Sequence, residues 1–161
     1  MSYLNRRTFL AGVGAACALA GCSSASPAEA QGNFPFRLTD AQWRQRLSPA
    51  AYSVLRRHNT ERPGSSPLDR EKRRGTFHCA GCNHRLFASS TKFDSGTGWP
   101  SFWQPLPRAV GTKADRSLLE TRTEVHCANC GGHLGHVFDD GPKPTGKRYC
   151  MNGVAMAFRP A

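Results

Sequence analysis

Residues 126–152 read HCANCGGHLGHVFDDGPKPTGKRYCMN and contain three of the seven cysteines and three of the six histidines of this 161-residue chain. Cys127 and Cys130 form a CxxC pair, which is the spacing of a zinc knuckle. Cys150 stands apart from the other cysteines and follows the cationic side chains of Lys147 and Arg148. A paired thiol set and a solitary thiol beside cations indicate different chemistry, namely metal binding and a reactive thiolate.

A second CxxC pair lies upstream, and the two pairs together predict a metal site. Two intervening residues let both sulfurs of a pair reach one ion from a tight turn, and we expect Gly81 and Asn129 to supply left-handed backbone there. Four thiolates are the closed ligand set of structural zinc, so we expect one structural Zn²⁺ held by two β-turns that meet in space. The predicted ligands are Cys79, Cys82, Cys127 and Cys130. Disulfides, an empty site and a catalytic zinc ion are the weaker alternatives.

The composition indicates one globular domain with a short appendage and a strongly basic surface. The chain has 22 Lys and Arg against 11 Asp and Glu, for a formal net charge of +11. Such a balance can favour nucleic acid, an anionic membrane or acidic partners. Because the basic residues are spread along residues 37–159 without a basic stripe, we expect a solvated surface and no nucleic-acid binding.

Residues 1–30 are predicted to be a targeting segment and tether outside the folded domain. Arg6 and Arg7 precede an apolar run from Phe9 to Ala20. That run is too short for a membrane span, which needs about 20 residues. The pattern is typical of a twin-arginine (Tat) export signal, a route for proteins that are already folded. Zinc could then be bound in the reducing cytosol before export.

Two cleavage sites are compatible with this segment. Residues 19–22 resemble a bacterial lipobox, in which Cys22 would carry a lipid and begin the mature chain. Residues 28–30 fit the small-residue rule for ordinary signal cleavage. The expected location is therefore the periplasm or the periplasmic face of a membrane, with a lipid on Cys22 as the only membrane contact. Five of the seven cysteines remain in the domain, because Cys17 lies within the apolar run and Cys22 is either lipidated or removed.

Two short helices are predicted at the start of the domain. Thr39 and Asp40 can cap a helix over residues 41–47, because their side-chain oxygens accept hydrogen bonds from exposed N–H groups at a helix start. Ser48 followed by proline repeats this signal, and the second helix is expected over residues 49–58. We expect both helices to cover a sheet.

The remainder of the domain is expected to be antiparallel β-structure. Residues 59–75 are polar and rich in Pro and Gly, which indicates a long connecting loop. Residues 76–160 alternate short apolar runs with turns, as antiparallel strands do. The runs expected in strands are Thr76–Phe77, Leu86–Phe87, Trp99–Trp103, Ala109–Val110, Leu118–Leu119, Thr123–Val125, His136–Phe138 and Val154–Phe158.

The neighbours of Cys150 are suited to a nucleophile. On a strand, Arg148 would point to the same face, stabilise the thiolate and lower its pKa. His133 and His136 carry imidazoles that can donate a proton to a substrate oxygen, and Asn152 would share the strand face. A lone buried cysteine is more often a small apolar residue. These neighbours instead favour a redox thiol that can cycle through sulfenic acid.

Three motifs resemble those of the type B methionine-R-sulfoxide reductases. They are KFDSGTGWPSF at residues 92–102, GGHLGHVFDDG at 131–141 and RYCMN at 148–152, and the likeness covers most of residues 37–159. Both CxxC pairs lie where zinc-bearing members carry theirs. The resemblance implies a mainly β fold over residues 37–160: a β-tent of two antiparallel sheets with short N-terminal helices and a four-cysteine zinc site.

The resemblance also implies a mechanism. Cys150 attacks the sulfoxide sulfur, methionine leaves, and Cys150 becomes a sulfenic acid. His133 and His136 help to protonate the sulfoxide oxygen, while Arg148 holds the thiolate. Trp99 packs against the terminal methyl group of the substrate. The remaining pocket residues implied are Phe138 in the apolar wall, Asn152 at the polar end, and Asp139 or Asp140 as the partner of Arg148.

One position departs from the family pattern. Many members have a recycling cysteine two residues before the Trp of the Trp-Pro-Ser segment, where this chain has Thr97. We therefore expect no disulfide within the chain during turnover, and reduction of the sulfenic acid by a thioredoxin-like protein or another external thiol. The expected partners are oxidised proteins that carry methionine sulfoxide, and the expected state is a monomer. Two alternatives are a non-catalytic basic zinc module and a thiol peroxidase that uses Cys150.

Overall fold

The computed structural model describes residues 32–161. The predictions for the targeting segment, including the twin arginines and Cys22, lie outside the described residues. Within residues 32–161, no helix combines the length and the apolar character that crossing a membrane requires.

Two short helices open the domain, as predicted. Helix α1 spans Asp40–Arg46, and Thr39 caps it in a capping box with Gln42. Helix α2 spans Pro49–Arg57 and starts at the Ser48 cap. A capping side chain satisfies N–H groups that the first turn leaves without partners, which is why these residues set the starts of the helices.

The rest of the domain forms two antiparallel sheets, which confirms the predicted fold class. The strands are β1 Gly75–Cys79, β2 Arg85–Ala88, β3 Lys92–Phe93, β4 Ser101–Phe102, β5 Val110–Asp115, β6 Arg122–Cys127, β7 His133–Phe138, β8 Arg148–Met151 and β9 Met156–Pro160. One sheet has the order β2-β1-β9, and the other has the order β3-β4-β8-β7-β6-β5. Short 3₁₀ turns lie at Pro67–Arg70, Ser89–Thr91 and Gly153–Ala155.

Some strand predictions are wrong in detail. Leu118 and Leu119 lie between β5 and β6 and are 61% and 109% exposed, so this apolar pair belongs to a connection and not to a strand. The run over residues 99–103 yields only the two residues of β4. The connecting segment over residues 59–75 contains a 3₁₀ turn capped by Ser66.

Aromatic packing joins the two sheets. Phe77 on β1 and Phe87 on β2 both contact Phe102 on β4, with ring centroids 4.9 and 4.3 Å apart. All three side chains are fully buried. Burying one such side chain is worth roughly 1.5–3 kcal/mol. This packing fixes β4 within the larger sheet, and β4 is the strand that pairs with β8, which carries Cys150.

Candidate functional site

The four predicted ligand cysteines come together in one cluster. The Sγ atoms of Cys79 and Cys130 are 3.7 Å apart, and those of Cys82 and Cys127 are 3.6 Å apart. All four sulfurs lie within 4.8 Å of one another. A disulfide needs about 2.05 Å between sulfurs. Sulfurs at about 2.3 Å from a tetrahedral ion lie about 3.8 Å apart. The cluster therefore has the dimensions of a metal site and not of two disulfides.

The two knuckles have matching backbone hydrogen bonds. The N–H of Asn83 donates to the carbonyl of Cys79 at 2.8 Å, and that of Gly131 donates to Cys127 at 2.9 Å. Asn83 and Gly131 have φ of 62° and 68°. The prediction of left-handed backbone at Gly81 and Asn129 is wrong, because the reversal occurs one residue after the second cysteine of each pair.

The four thiols of the cluster affect one another's ionisation. Hydrogen bonds among them raise the pKa of Cys79 and Cys130 and lower the pKa of Cys82 and Cys127. Thiols in mutual contact cannot all ionise unless a positive charge compensates them. Because Cys79 ends β1 and Cys127 ends β6, an ion bound here would join the two sheets.

Cys150 lies in the middle of the larger sheet. It pairs with Ser101 of β4 on one side and with His136 of β7 on the other. A Cβ at Gly135 would lie 2.1 Å from the carbonyl oxygen of Cys150, so only glycine lets β7 approach β8 this closely. The Oγ1 of Thr97 lies 3.9 Å from the Cys150 Sγ.

The pKa of Cys150 shifts in the direction opposite to our expectation. Burial raises the pKa of this thiol by more than Thr97, Arg148 and Ser101 lower it. The Arg148 guanidinium also makes two hydrogen bonds of 2.8 Å to the Asp140 carboxylate. Arg148 therefore lowers the pKa of Cys150, as expected, but it does not offset the effect of burial. A thiol at this position must give up its proton as the sulfur reacts.

Two carboxylates hold the histidines. The Nδ1–H of His133 donates to Glu124 at 3.0 Å, and the Nε2–H of His136 donates to Asp115 at 2.7 Å. Burial alone would raise the pKa of Glu124. The hydrogen bonds from His133 and His58 together lower this pKa by a larger amount, so the buried carboxyl stays ionised. Each carboxylate fixes the orientation of its imidazole ring and the ring nitrogen that carries the proton. Burial lowers the pKa of His136 by more than the hydrogen bond to Asp115 raises it.

The sequence reasoning missed Glu124 and Asp115. Glu124 lies in a predicted strand for which only the apolar pattern was considered, and it is 3% exposed. Asp115 lies between two predicted strands. A carboxylate between apolar residues on β6, next to a strand with two histidines, is the signal that could have identified it. Asp115 ends β5, and the Arg122 guanidinium also donates to it at 2.7 Å.

The two aromatic residues predicted to line the pocket, Trp99 and Phe138, have different contacts. The indole N–H of Trp99 donates to the carbonyl of Glu61 at 3.1 Å, and the ring is half-buried. Phe138 is also half-buried and lies 4.5 Å below the Arg148 guanidinium. The ring centroids of Phe138 and His136 are 6.5 Å apart, so Phe138 borders the histidine pair.

The polar candidates differ in their partners. Of the two possible partners for Arg148, Asp140 makes the ion pair, while Asp139 is exposed and pairs with Lys147. Asn152 is buried, and its amide donates to the carbonyl of Leu134 at 3.0 Å. Asn152 therefore braces the backbone beside the histidines.

Glu61 is a further residue that the sequence reasoning missed. Its carboxylate accepts hydrogen bonds from the N–H groups of Gly153 at 2.6 Å and Val154 at 3.0 Å. Its own N–H donates to Asn152 at 2.9 Å. Glu61 thus ties the connecting segment, and Trp99 with it, to the turn that follows Cys150.

Comparison with known proteins gives a consistent result. The family model described as the SelR domain matches residues 47–160. A protein named peptide methionine sulfoxide reductase MsrB from Agrobacterium fabrum is 53% identical over 123 residues, which cover 76% of this chain and 91% of the relative. Proteins of the same name from Leifsonia xyli subsp. xyli and Bradyrhizobium diazoefficiens are 51% and 54% identical. Those alignments cover 81% and 76% of this chain, and 95% and 88% of the relatives.

Proposed function

The chain belongs to the SelR domain family, whose curated relatives are named peptide methionine sulfoxide reductases, and we propose that it reduces methionine R-sulfoxide in proteins to methionine with electrons from thiols. The observation that carries this proposal is the position of Cys150, which pairs across the sheet with His136, itself held by Asp115. The R epimer follows from the resemblance to the type B reductases.

The reaction proceeds by transfer of the sulfoxide oxygen to sulfur. Cys150 Sγ attacks the sulfoxide sulfur and gives up its proton, and one proton reaches the sulfoxide oxygen through His133 or His136, so that no net proton is consumed. Methionine departs, and the oxygen ends on Cys150 as a sulfenic acid. Two external thiols then return Cys150 to the thiol and release water and their own disulfide.

The substrate is bound beside these groups. Trp99, held by Glu61, packs against the terminal methyl group of the sulfoxide, and Phe138 completes the apolar wall. Arg148, paired with Asp140, supports negative charge on the Cys150 sulfur as it forms. Asn152 orders the polar end of the pocket, and Asp139 lies at its exposed edge.

We further propose that the four-thiol cluster holds one Zn²⁺. The sulfur separations of 3.6 and 3.7 Å fit tetrahedral thiolate coordination. Zinc with four thiolates has no open position, so its contribution is to stabilise the fold and not to take part in the reaction.

The enzyme assay tests the proposed function directly. Purified protein with a thioredoxin-type reductant should convert the R epimer of a methionine sulfoxide peptide, and should leave the S epimer unchanged over the same period. Chiral separation of the remaining sulfoxide measures both rates in one mixture. Equal consumption of the two epimers, or reduction of hydrogen peroxide in preference to either, would favour a thiol peroxidase instead.

Regeneration of Cys150 should proceed without a disulfide in the chain. The hydroxyl of Thr97 lies 3.9 Å from the Cys150 sulfur, at the place where many family members carry a recycling cysteine. The other cysteines of the described part of the chain are in the four-thiol cluster. After one turnover without reductant, mass spectrometry should find a sulfenic acid on Cys150, trapped by dimedone.

The variant Thr97→Cys provides the matched control for this prediction. A thiol in contact with Cys150 should condense with its sulfenic acid, so the variant should show a bridge between positions 97 and 150 under the same conditions. A bridge from Cys150 to another cysteine in the natural protein would show that the prediction is wrong.

The location of the protein is a separate proposal, which rests on the sequence of residues 1–30. The twin-arginine pattern at Arg6 and Arg7 supports export of the folded protein to the periplasm, with or without a lipid on Cys22. Changing both arginines to lysine should leave the protein in the cytoplasmic fraction. Unchanged export of this variant would contradict the Tat route.

A further inference from the structure

Three metal-binding side chains converge outside the four-thiol cluster. The Nδ1 atoms of His58 and His133 lie 3.3 and 3.0 Å from the same oxygen, Oε1 of Glu124. The three ligand atoms all lie within 4.8 Å of one another. They come from three separate elements, namely the end of α2, β6 and β7.

The backbone positions His58 for this role. It is the C-cap residue of α2 and adopts a left-handed conformation, with φ 58° and ψ 27°. Non-glycine residues seldom adopt this conformation, and histidine and asparagine are among those that tolerate it. The ring of His58 packs on that of His133, with centroids 5.2 Å apart. One side of the His58 imidazole therefore faces His133 and the sheet, and the other side is open to solvent.

The donor set matches borderline transition metals. Two imidazoles and one carboxylate bind Zn²⁺, Co²⁺ or Ni²⁺ and leave coordination positions open. Ligand atoms about 2.0–2.1 Å from a tetrahedral ion lie about 3.3 Å apart. The separations of 3.3 and 3.0 Å around Glu124 Oε1 are close to that value. Little rearrangement is needed to admit an ion in place of the two Nδ1 protons.

An ion can reach these three side chains from solvent, and the nearby positive charge can move away. The side chains of Glu124 and His133 are 4% and 2% exposed, while that of His58 is 43% exposed and gives an ion a route from solvent. Lys113 Nζ lies 3.2 Å from the other carboxylate oxygen, Oε2. The Lys113 side chain is 56% exposed, so it can turn into water when a second cation arrives.

We propose that His58, Glu124 and His133 form a second site for a divalent transition metal ion, and that an ion bound there inhibits the reductase. The inhibition rests on the proposed function, because the ion would take up His133 and the Glu124 carboxylate that holds it. The binding itself does not depend on that function.

Cobalt titration tests the binding. The sample would be the full chain with zinc in the four-thiol cluster and with the substitution Cys150→Ser. Among the described residues, Cys150 is the cysteine that lies outside that cluster, so the substitution removes a competing thiol. One further Co²⁺ per chain should bind, with d–d absorption and without the thiolate charge-transfer bands that exchange into the four-thiol cluster would produce.

Three variants make the test specific. His58→Asn keeps a residue that tolerates left-handed backbone and should weaken Co²⁺ binding by about tenfold or more. Lys113→Met removes the competing charge and should tighten binding, whereas Lys72→Met, an exposed lysine elsewhere, should not. Absence of a further Co²⁺, or equal affinity in His58→Asn, would overturn the proposed site.

Inhibition is measured separately on the protein with Cys150 intact. With a thioredoxin-type reductant, Co²⁺ should slow turnover of the natural protein, whereas the activity that His58→Asn retains should resist the metal. Binding without inhibition would overturn the inhibitory role and leave the site intact. If no reductase activity were found at all, the proposed function would fail while the cobalt titration still decided the site.

Discussion

Replacement of Cys150 with serine should lower the rate of R-sulfoxide reduction by at least about 10³-fold, because a serine hydroxyl is a far weaker nucleophile than sulfur and cannot cycle through a sulfenic acid. The loss should appear in kcat, since the side chains proposed to bind the substrate are unchanged. Steady-state rates with an R-sulfoxide peptide, followed by release of methionine, measure the effect.

The zinc content and the melting temperature are the controls for this variant. Serine differs from cysteine by one atom, and the described contacts of Cys150 are with Thr97 and neighbouring strands, so the zinc content and melting temperature should be those of the natural protein. Thr97→Ser retains a hydroxyl at the contact and should retain activity. A Cys150→Ser variant with a rate within tenfold of normal would place the nucleophile elsewhere.

Replacement of Cys127 with serine should cause the largest loss of stability. Cys127 is fully buried at the end of β6, and its sulfur lies 3.6 Å from that of Cys82. Loss of one of four ligands removes metal-binding free energy that exists only in the folded state, and it leaves a hydroxyl in the cluster. We expect a decrease of more than about 4 kcal/mol in the free energy of unfolding.

Two measurements on the same samples check this prediction. Metal content by elemental analysis should fall from one zinc per chain to near zero, and thermal unfolding should occur at a markedly lower temperature. Cys150→Ser is the matched control, because it also changes a cysteine to serine on a strand of the same sheet. Full zinc content and an unchanged melting temperature in Cys127→Ser would show that the cluster is not a structural metal site.

The two variants therefore separate the two kinds of cysteine. Cys150→Ser should lose activity and keep stability, and Cys127→Ser should lose stability first and activity as a consequence. A non-catalytic zinc module would show only the second effect.

Features that depend on short stretches of sequence were predicted well. The caps at Thr39 and Ser48 mark the helix starts because capping is a contact between residues two or three apart. The CxxC pairs predict a cluster of four thiols because each pair binds from a single turn. The antiparallel sheets follow from short apolar runs separated by turns.

Features that depend on burial and distant contacts were not predicted. Leu118 and Leu119 look like a strand because their apolar pattern does not show that the chain turns there. Glu61, Glu124 and Asp115 were overlooked because each is defined by its partners. Glu61, for example, contacts residues about ninety positions away, Asn152 and Gly153.

Residue chemistry and local spacing alone predicted the four cysteines that cluster, the candidate nucleophile and the strand-rich fold class of this protein. Tertiary structure alone decided the direction in which the Cys150 pKa shifts, the partner of Arg148 and the carboxylates that hold His133 and His136. The physical reason is the range of the forces involved. A ligand set needs only donor atoms at the right spacing, whereas a pKa sums burial and charges contributed by residues far apart in the chain.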